Sequence, residues 1–303
     1  MKIKKVLNQN AVLVTDDGQE KVAIGKGIGF GKKRNDLVFK RQIERMFVMA
    51  PEGQLKLQDL LSQIDEKYLF AAEHIIDHAE TVLMEQLNEH VLIALTDHLS
   101  FSAENIRNGI VIRNKLLREI EVLYGEEFSI AQWAVEYLNK ELHIPYTYDE
   151  AGYIAIHLHS GRGDRVRKKR ESIREVMIVS DVIQLIEREL NLDIHSEAMA
   201  LNYSRLANHL RLLMKRYYYQ EYAVLDQEIV QMVKRKYPES YGIAKKIRVL
   251  LTKKYQMSMT SEELGYIAIH IERLRLTRTR PDQGDPESGD SPASESGHDQ
   301  QEE

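Results

Sequence analysis

Residues 152–157, Gly-Tyr-Ile-Ala-Ile-His, recur unchanged at 265–270. The offset of 113 holds upstream without a gap: Glu150 matches Glu263, Thr147 matches Thr260, Leu138 matches Leu251, and Ala131 matches Ala244. Ile130 matches Ile243, Glu126 matches Glu239, and Tyr124 matches Tyr237. A gap-free match over this span rarely arises by chance, so the chain must build one fold twice. Two units follow, roughly 60–165 and 172–277. Their apolar residues fall at helical spacing. Leu57, Leu60, Leu61 and Ile64 occupy i, i+3, i+4 and i+7, the stripe of an amphipathic helix. Similar stripes run through Leu87–Phe101, Ile110–Leu123 and Ile130–Leu142, and again from Ile173 to about Leu276. Both units are therefore expected to be all-α helical bundles. Arg162–Arg174 is thick with basic residues and reads as a linker or a helix start.

The head of the chain has a different period. Lys2–Val6, Ala11–Thr15, Lys21–Ile24 and Arg45–Met49 read as short strands, with a turn signal at Asp16-Asp17-Gly18. A Gly-rich basic loop, residues 25–34, lies between the third and fourth. Four short strands make only a small core, a shortage that dimerisation would relieve. Pro51-Glu52-Gly53 marks the boundary with the helical part. The expected architecture is thus multidomain α+β: a small antiparallel β-sheet domain at 1–55, then the two helical domains. Residues 281–303 hold three prolines, eight Asp/Glu and no Lys/Arg. Without large apolar side chains nothing drives packing there, so an acidic disordered tail is expected.

Charge separates along the same boundaries. Residues 1–50 carry 11 Lys/Arg against 5 Asp/Glu, whereas the rest carries 31 against 42. A basic head on an acidic body suggests that the head alone meets a polyanion. The chain has no Cys, which excludes disulfides, thiol catalysis and Cys-based zinc sites. No apolar stretch approaches the roughly 18 residues needed to span a bilayer. These features, with an N-terminus lacking a secretory apolar run, lead to the expectation of a cytoplasmic protein with no membrane insertion.

Each repeat carries one His early and one late. His98, in Ala94-Leu95-Thr96-Asp97-His98, precedes His157 by about 60 residues; His209, in Arg205-Leu206-Ala207-Asn208-His209, precedes His270 similarly. In an antiparallel bundle the two helices can be neighbours, which brings both imidazoles toward one surface. Three chemistries compete for them. Each could be a hydrogen-bonded packing residue. A metal site needs three or four ligands, but His157-Leu158-His159 sends its two rings to different helix faces. His159 also lacks a counterpart in the second repeat, where Glu272 and Arg273 flank that region. The third is phosphoryl acceptance: a neutral imidazole is nucleophilic near pH 7, and a phosphate of about −1.5 to −2 charges can reorganise a helical interface. Asp97 is the expected orienting partner of His98, with Asn208 in its place in the second repeat.

Taken together, these motifs resemble the BglG/SacY-type transcriptional antiterminators over about residues 1–277. Gly25-Lys26-Gly27-Ile28-Gly29-Phe30-Gly31-Lys32-Lys33 is similar to the signature of the co-antiterminator RNA-binding domain. Leu95-Thr96-Asp97-His98 and the two hexapeptides are similar to the marks of PTS regulation domains. The resemblance implies a homodimer that binds a hairpin, the ribonucleic antiterminator, in a nascent leader transcript. Binding blocks an overlapping terminator, so polymerase reads into sugar-uptake genes. It further implies phosphorylation at His98 and His157 in the first domain and at His209 and His270 in the second. The implied donors are HPr and a sugar-specific PTS permease. Neither catalysis, cofactor nor metal is implied. The Gly-Ile-Gly-Phe-Gly-Lys-Lys wording leans toward glucose-type members.

For the RNA, the resemblance implies contacts at Lys5, Asn8, Asn10, Gly25, Lys26 and Phe30. Lysine supplies salt-dependent phosphate affinity, while unpaired bases supply sequence information. Glycine lets the backbone approach closely. Phe30, between two glycines, either stacks on an unpaired base or plugs the small core or a dimer interface. Asn8 and Asn10 suit a turn as well as a contact. Lys26 stands where other members often have Arg, replacing bidentate contacts by point-charge ones. Two rival functions are an enzyme, for which no P-loop or carboxylate cluster is seen, and a PTS-regulated DNA-binding activator. The latter needs a helix-turn-helix head, and residues 1–50 lack helical periodicity.

Overall fold

A computed structural model of the chain describes residues 1–16, 18–48, 64–88, 90–162, 167–221 and 223–279. The expected helical stripe at Leu57–Leu61, the boundary at Pro51-Glu52-Gly53 and the acidic tail lie outside these residues. The head is a four-stranded antiparallel sheet in sequential order: β1 (Lys2–Val6), β2 (Ala11–Asp16), β3 (Gln19–Ile24) and β4 (Arg45–Val48). Gly18, at φ +78°, helps turn β2 into β3. Ile3, Val12, Val14, Ala23, Ile28 and Val38 are buried together as the core of one sheet face. Leu7, Ala11, Leu13, Val22 and Ile24 lie on the other face and join the apolar core of the helical body. Period-2 alternation explains this two-sided burial. Among its described residues the head contains no α-helix, only a short 3-10 turn at Lys40–Gln42.

Ten α-helices follow among the described residues, in two matched sets of five. The first set is α1 (Glu66–Leu83), α2 (His90–Arg107), α3 (Leu117–Leu123), α4 (Gly125–Leu142) and α5 (Tyr148–Gly161). The second is α6 (Arg167–Leu190), α7 (Ala200–Tyr219), α8 (Gln227–Lys236), α9 (Pro238–Tyr255) and α10 (Ser261–Thr279). Helices α4 and α9 begin and end at the 113-residue offset. Pro238 opens α9, where its missing N–H costs nothing. His143 and Gln256 close the two helices in the left-handed conformation, at φ +53° and +54°.

One expected helix is shorter than its apolar pattern. Residues 110–114 are irregular, and α3 begins only at Leu117. Ile110 and Val111 are exposed, so that stripe does not face a core. Asn114 shapes the turn instead: its backbone N–H donates to Asp149 Oδ1 at 2.7 Å, and its Oδ1 accepts from the Leu116 N–H at 3.0 Å.

From Arg167 onward the basic segment forms α6, a helix of 24 residues. Its start packs against the first repeat, where the Tyr124 hydroxyl donates to the Ser172 carbonyl at 2.9 Å. Arg45 of β4 pairs with Glu73 of α1 at 3.1 Å and also with Asp77. Ion pairs and shared apolar contacts thus connect the sheet to the first repeat, and α6 connects the first repeat to the second.

Candidate functional site

Helices α2 and α5 place His98 and His157 side by side, with ring centroids 5.2 Å apart. The same two helices of the second repeat, α7 and α10, place His209 and His270 5.0 Å apart. Within each hexapeptide the division of labour follows the helical period. Ile154 and Ala155 are fully buried, as are Ile267 and Ala268. Tyr153 and His157, four apart, face the early histidine instead; Tyr153 lies 5.5 Å from His98 and Tyr266 lies 5.3 Å from His209, ring to ring. All four imidazoles are half-buried.

The carboxylate that orients His98 is not Asp97. Asp97 is exposed, because adjacent helical residues point about 100° apart. Glu150 takes the role from across the helix interface: its Oε2 lies 2.9 Å from His98 Nε2. A carboxylate only accepts, so Nε2 carries a proton. Ser102 Oγ donates to the other Glu150 oxygen at 2.6 Å. In the second repeat Glu263 Oε2 lies 3.3 Å from His209 Nε2, an ion-pair distance without the alignment of a hydrogen bond. Arg216 replaces the serine as second holder, its Nε donating to Glu263 at 2.8 Å. Burial pushes the Glu263 carboxyl up, but the contacts from His209 and Arg216 outweigh it and hold it below its ordinary value. The pairing Glu150/Glu263 was visible in the repeat as an identity at offset 113; its chemistry was not, because a Glu two residues before a hexapeptide has no local signature.

His270 is kept neutral. Burial, with the positive charges of His209, Arg273 and Arg205, pulls its imidazole down to about 4. A neutral ring with a lone pair is the form that attacks an electrophile near pH 7.

His159 belongs elsewhere. It stacks on Tyr124 at 3.8 Å between centroids, and its Nδ1 lies 2.9 Å from Glu127. Arg162 donates to Glu127 as well, at 2.8 Å. At the equivalent places of the second repeat stand Glu272, Ser240 and Arg275, with Ser240 Oγ donating to Glu272 at 2.7 Å and Arg275 to the same carboxylate at 2.8 Å. The carboxylate has changed helices between repeats while the arginine stays. His159 thus serves packing, and no cluster of three or more metal-ligating residues occurs among the described residues.

The Gly-rich loop closes over the Asn8–Asn10 turn. Asn8 Oδ1 accepts from the Asn10 N–H at 2.8 Å, and the buried Asn10 side chain accepts from Gly27 N–H. Gly29 N–H donates to the Gln9 carbonyl at 2.9 Å. Only glycine fits at two positions: a Cβ on Gly25 would lie 2.0 Å from the Gln42 oxygen, and one on Gly29 would lie 2.2 Å from the Asn8 oxygen. Ile28 is 1% exposed and plugs the small core, which leaves Phe30 at 71% exposure beyond it. Lys5 and Lys26 are exposed on the same module. Asn10 therefore acts first by shaping the loop, and Phe30 is not the core plug.

Comparison with known proteins matches these parts. Residues 73–161 and 180–274 match the family model described as PRD domain, and residues 1–56 match the CAT RNA binding domain. The Beta-glucoside operon antiterminator of Dickeya chrysanthemi is 35% identical over 282 residues, covering 91% of this chain and 97% of that protein. Transcription antiterminator LicT of Bacillus subtilis (strain 168) is 31% identical over 277 residues, covering 90% and 99%. Protein GlcT of Staphylococcus haemolyticus is 30% identical over 271 residues, covering 89% and 94%. A solved structure, the crystal structure of GlcT CAT-PRDI, shares 35% sequence identity and a TM-score of 0.49, covering 54% of this chain and 98% of that one.

Proposed function

Because this chain belongs to the BglG/SacY-type transcriptional antiterminators, we propose that its two histidine pairs accept phosphate and thereby set how its N-terminal module engages RNA. The protein is a sugar-responsive antiterminator, an RNA-binding module followed by two PTS-regulated domains. The glucose-type lean of its loop fits the GlcT relatives. Among the described residues no helix is long and apolar enough to cross a membrane.

The observation that carries this reading is the duplicated juxtaposition of half-buried imidazoles, 5.2 and 5.0 Å apart, each with one ring beside a buried carboxylate. Phosphoryl transfer to such a ring breaks the N–P bond of a donor phosphoimidazole and forms one at the acceptor's unprotonated nitrogen. The donor ring leaves as neutral imidazole, and one N–H proton passes from the acceptor's side to the donor's. A dianion placed between α2 and α5 or between α7 and α10 must then find new counter-charges or force the helices to repack. The donors are HPr and a sugar-specific permease, and His98, His157, His209 and His270 are the acceptors. In the head, Phe30 stacks on an unpaired base of a leader hairpin, while Lys5 and Lys26 meet its phosphates. Asn8, Asn10 and Gly25 hold the loop at the RNA surface. Two copies act as a homodimer on the hairpin.

The test is a reconstituted relay with labelled HPr and the permease's soluble domains. The intact protein takes up label, and a variant with all four histidines changed to Ala takes up none while keeping its helical circular dichroism. Equal labelling of the two proteins would sink the assignment.

A further inference from the structure

Helices α7 and α10 zip together antiparallel through three polar rungs. Asn202 bonds Thr277 at 2.8 Å, His209 sits against His270, and Arg216 bonds Glu263 at 2.8 Å. Arg205 and Arg273 both lie in the turn between the first rung and the second. Arg205 is four residues before His209 on α7, and Arg273 is three after His270 on α10. Positions four and three apart share a helix face, so both guanidinium groups flank the imidazole pair from opposite helices. Both residues are exposed, and neither has a carboxylate partner among the described residues. Their charge reaches the pair, since both help keep His270 neutral.

The first repeat lacks this arrangement. The positions equivalent to Arg205 and Arg273 are Ala94 and Ser160. Ser160 turns its hydroxyl to the His157 carbonyl, at 2.9 Å. Where the second repeat has neutral Asn208, the first has anionic Asp97. The carboxylate beside the early histidine also differs: Glu263 is neutralised by Arg216, whereas Glu150 is held by neutral Ser102.

We propose that Arg205 and Arg273 form a phosphate clamp, present in the second repeat only, that holds a phosphoryl group on His209 or His270. The inference rests on the reading of these histidines as phosphoacceptors. Before modification the two arginines have no anion to hold. Afterwards each offers a planar fork of donors that suits phosphate oxygens. The clamp joins α7 to α10 through the modification. A phosphate in the first repeat instead meets Glu150, which only the neutral Ser102 and His98 hold, with no arginine at the corresponding places, and is repelled. One chemical mark therefore stiffens one domain and loosens the other.

The test uses the full chain with His98→Ala and His157→Ala, which keeps only the second pair, beside the same chain with His209→Ala and His270→Ala added, which assigns the signal of the seven other histidines. Phosphoramidate serves as the phosphoryl donor, because a small donor removes any effect of the arginines on docking a donor protein. Phosphohistidine lifetime is followed by 31P NMR, and Tm is measured before and after modification. Modification is expected to raise Tm by roughly 4–8 °C, the scale of one new charge-assisted contact in a domain of about 100 residues. With Arg205→Gln and Arg273→Gln added, the unmodified Tm should stay put while the rise on modification disappears and phosphohistidine decays severalfold faster. The transplant Ala94→Arg with Ser160→Arg, in a chain keeping only the first pair, should create the rise. An Arg-to-Gln variant that keeps both the rise and the lifetime overturns the clamp alone. Failure of the parent to take up phosphate at all overturns the acceptor reading and the clamp with it.

Discussion

His270 shows how one side chain can be set by its surroundings against its own chemistry. Burial and three neighbouring positive charges bring its imidazole from 6.5 to about 4. The unfolded chain takes up that proton below about pH 6.5, while the folded chain refuses it until about pH 4. Protons then favour the unfolded state, so this contribution to stability is present above pH 6.5 and is lost as pH falls toward 4. His270→Asn cannot charge and should give a flatter Tm-against-pH curve in that window by calorimetry. A parallel fall in both proteins would show that His270 does not titrate as its surroundings dictate. Glu150 and Glu263 act at the same scale: each orients an imidazole from a different helix, a role that only their positions in space reveal.

At the scale of the element, α5 and α10 carry the same hexapeptide but not the same packing. A Cβ on Gly152 would sit 2.5 Å from Asn114 Nδ2 and 2.8 Å from Leu117 Cδ1. On Gly265 it would meet Leu225 Cδ2 at 3.1 Å and Val230 Cγ2 at an ordinary 3.6 Å. The glycine of α5 lets the irregular segment before α3 lie against the helix; that of α10 is nearly free of this duty. Gly152→Ala should therefore cost about 1–3 kcal/mol through overpacking. Gly265→Ala should lie near neutral, since helix propensity returns up to about 1 kcal/mol. Urea denaturation of the two variants checks the pair, and equal losses would contradict the difference in packing.

For the whole molecule, the contacts of Arg45 with α1 and of Tyr124 with α6 connect the sheet, the first repeat and the second. A change between α2 and α5 thus occurs in the repeat that touches both other parts. His98→Ala together with His157→Ala should make read-through of a leader terminator independent of sugar in a reporter strain. A reporter that still follows sugar would place the sugar-dependent switch outside this pair.

Read without coordinates, the chain already declares its duplication, the β character of its head, the split of charge and the four histidines. These follow from periodicity and identity, which are properties of neighbours along the chain. The stripe at 110–116 misled because an apolar period marks a helix only where a core exists to receive it; here Ile110 and Val111 face outward. The inward turn of Ile28 and outward turn of Phe30 depended on the loop's closure over the Asn8–Asn10 turn. The partner of His98 needed the fold as well: Glu150 lies 52 residues away, and only the crossing of α2 and α5 brings the two within hydrogen-bond reach. Local pattern decides which faces of a chain are apolar; which charges meet across them is settled when helices distant in sequence pack.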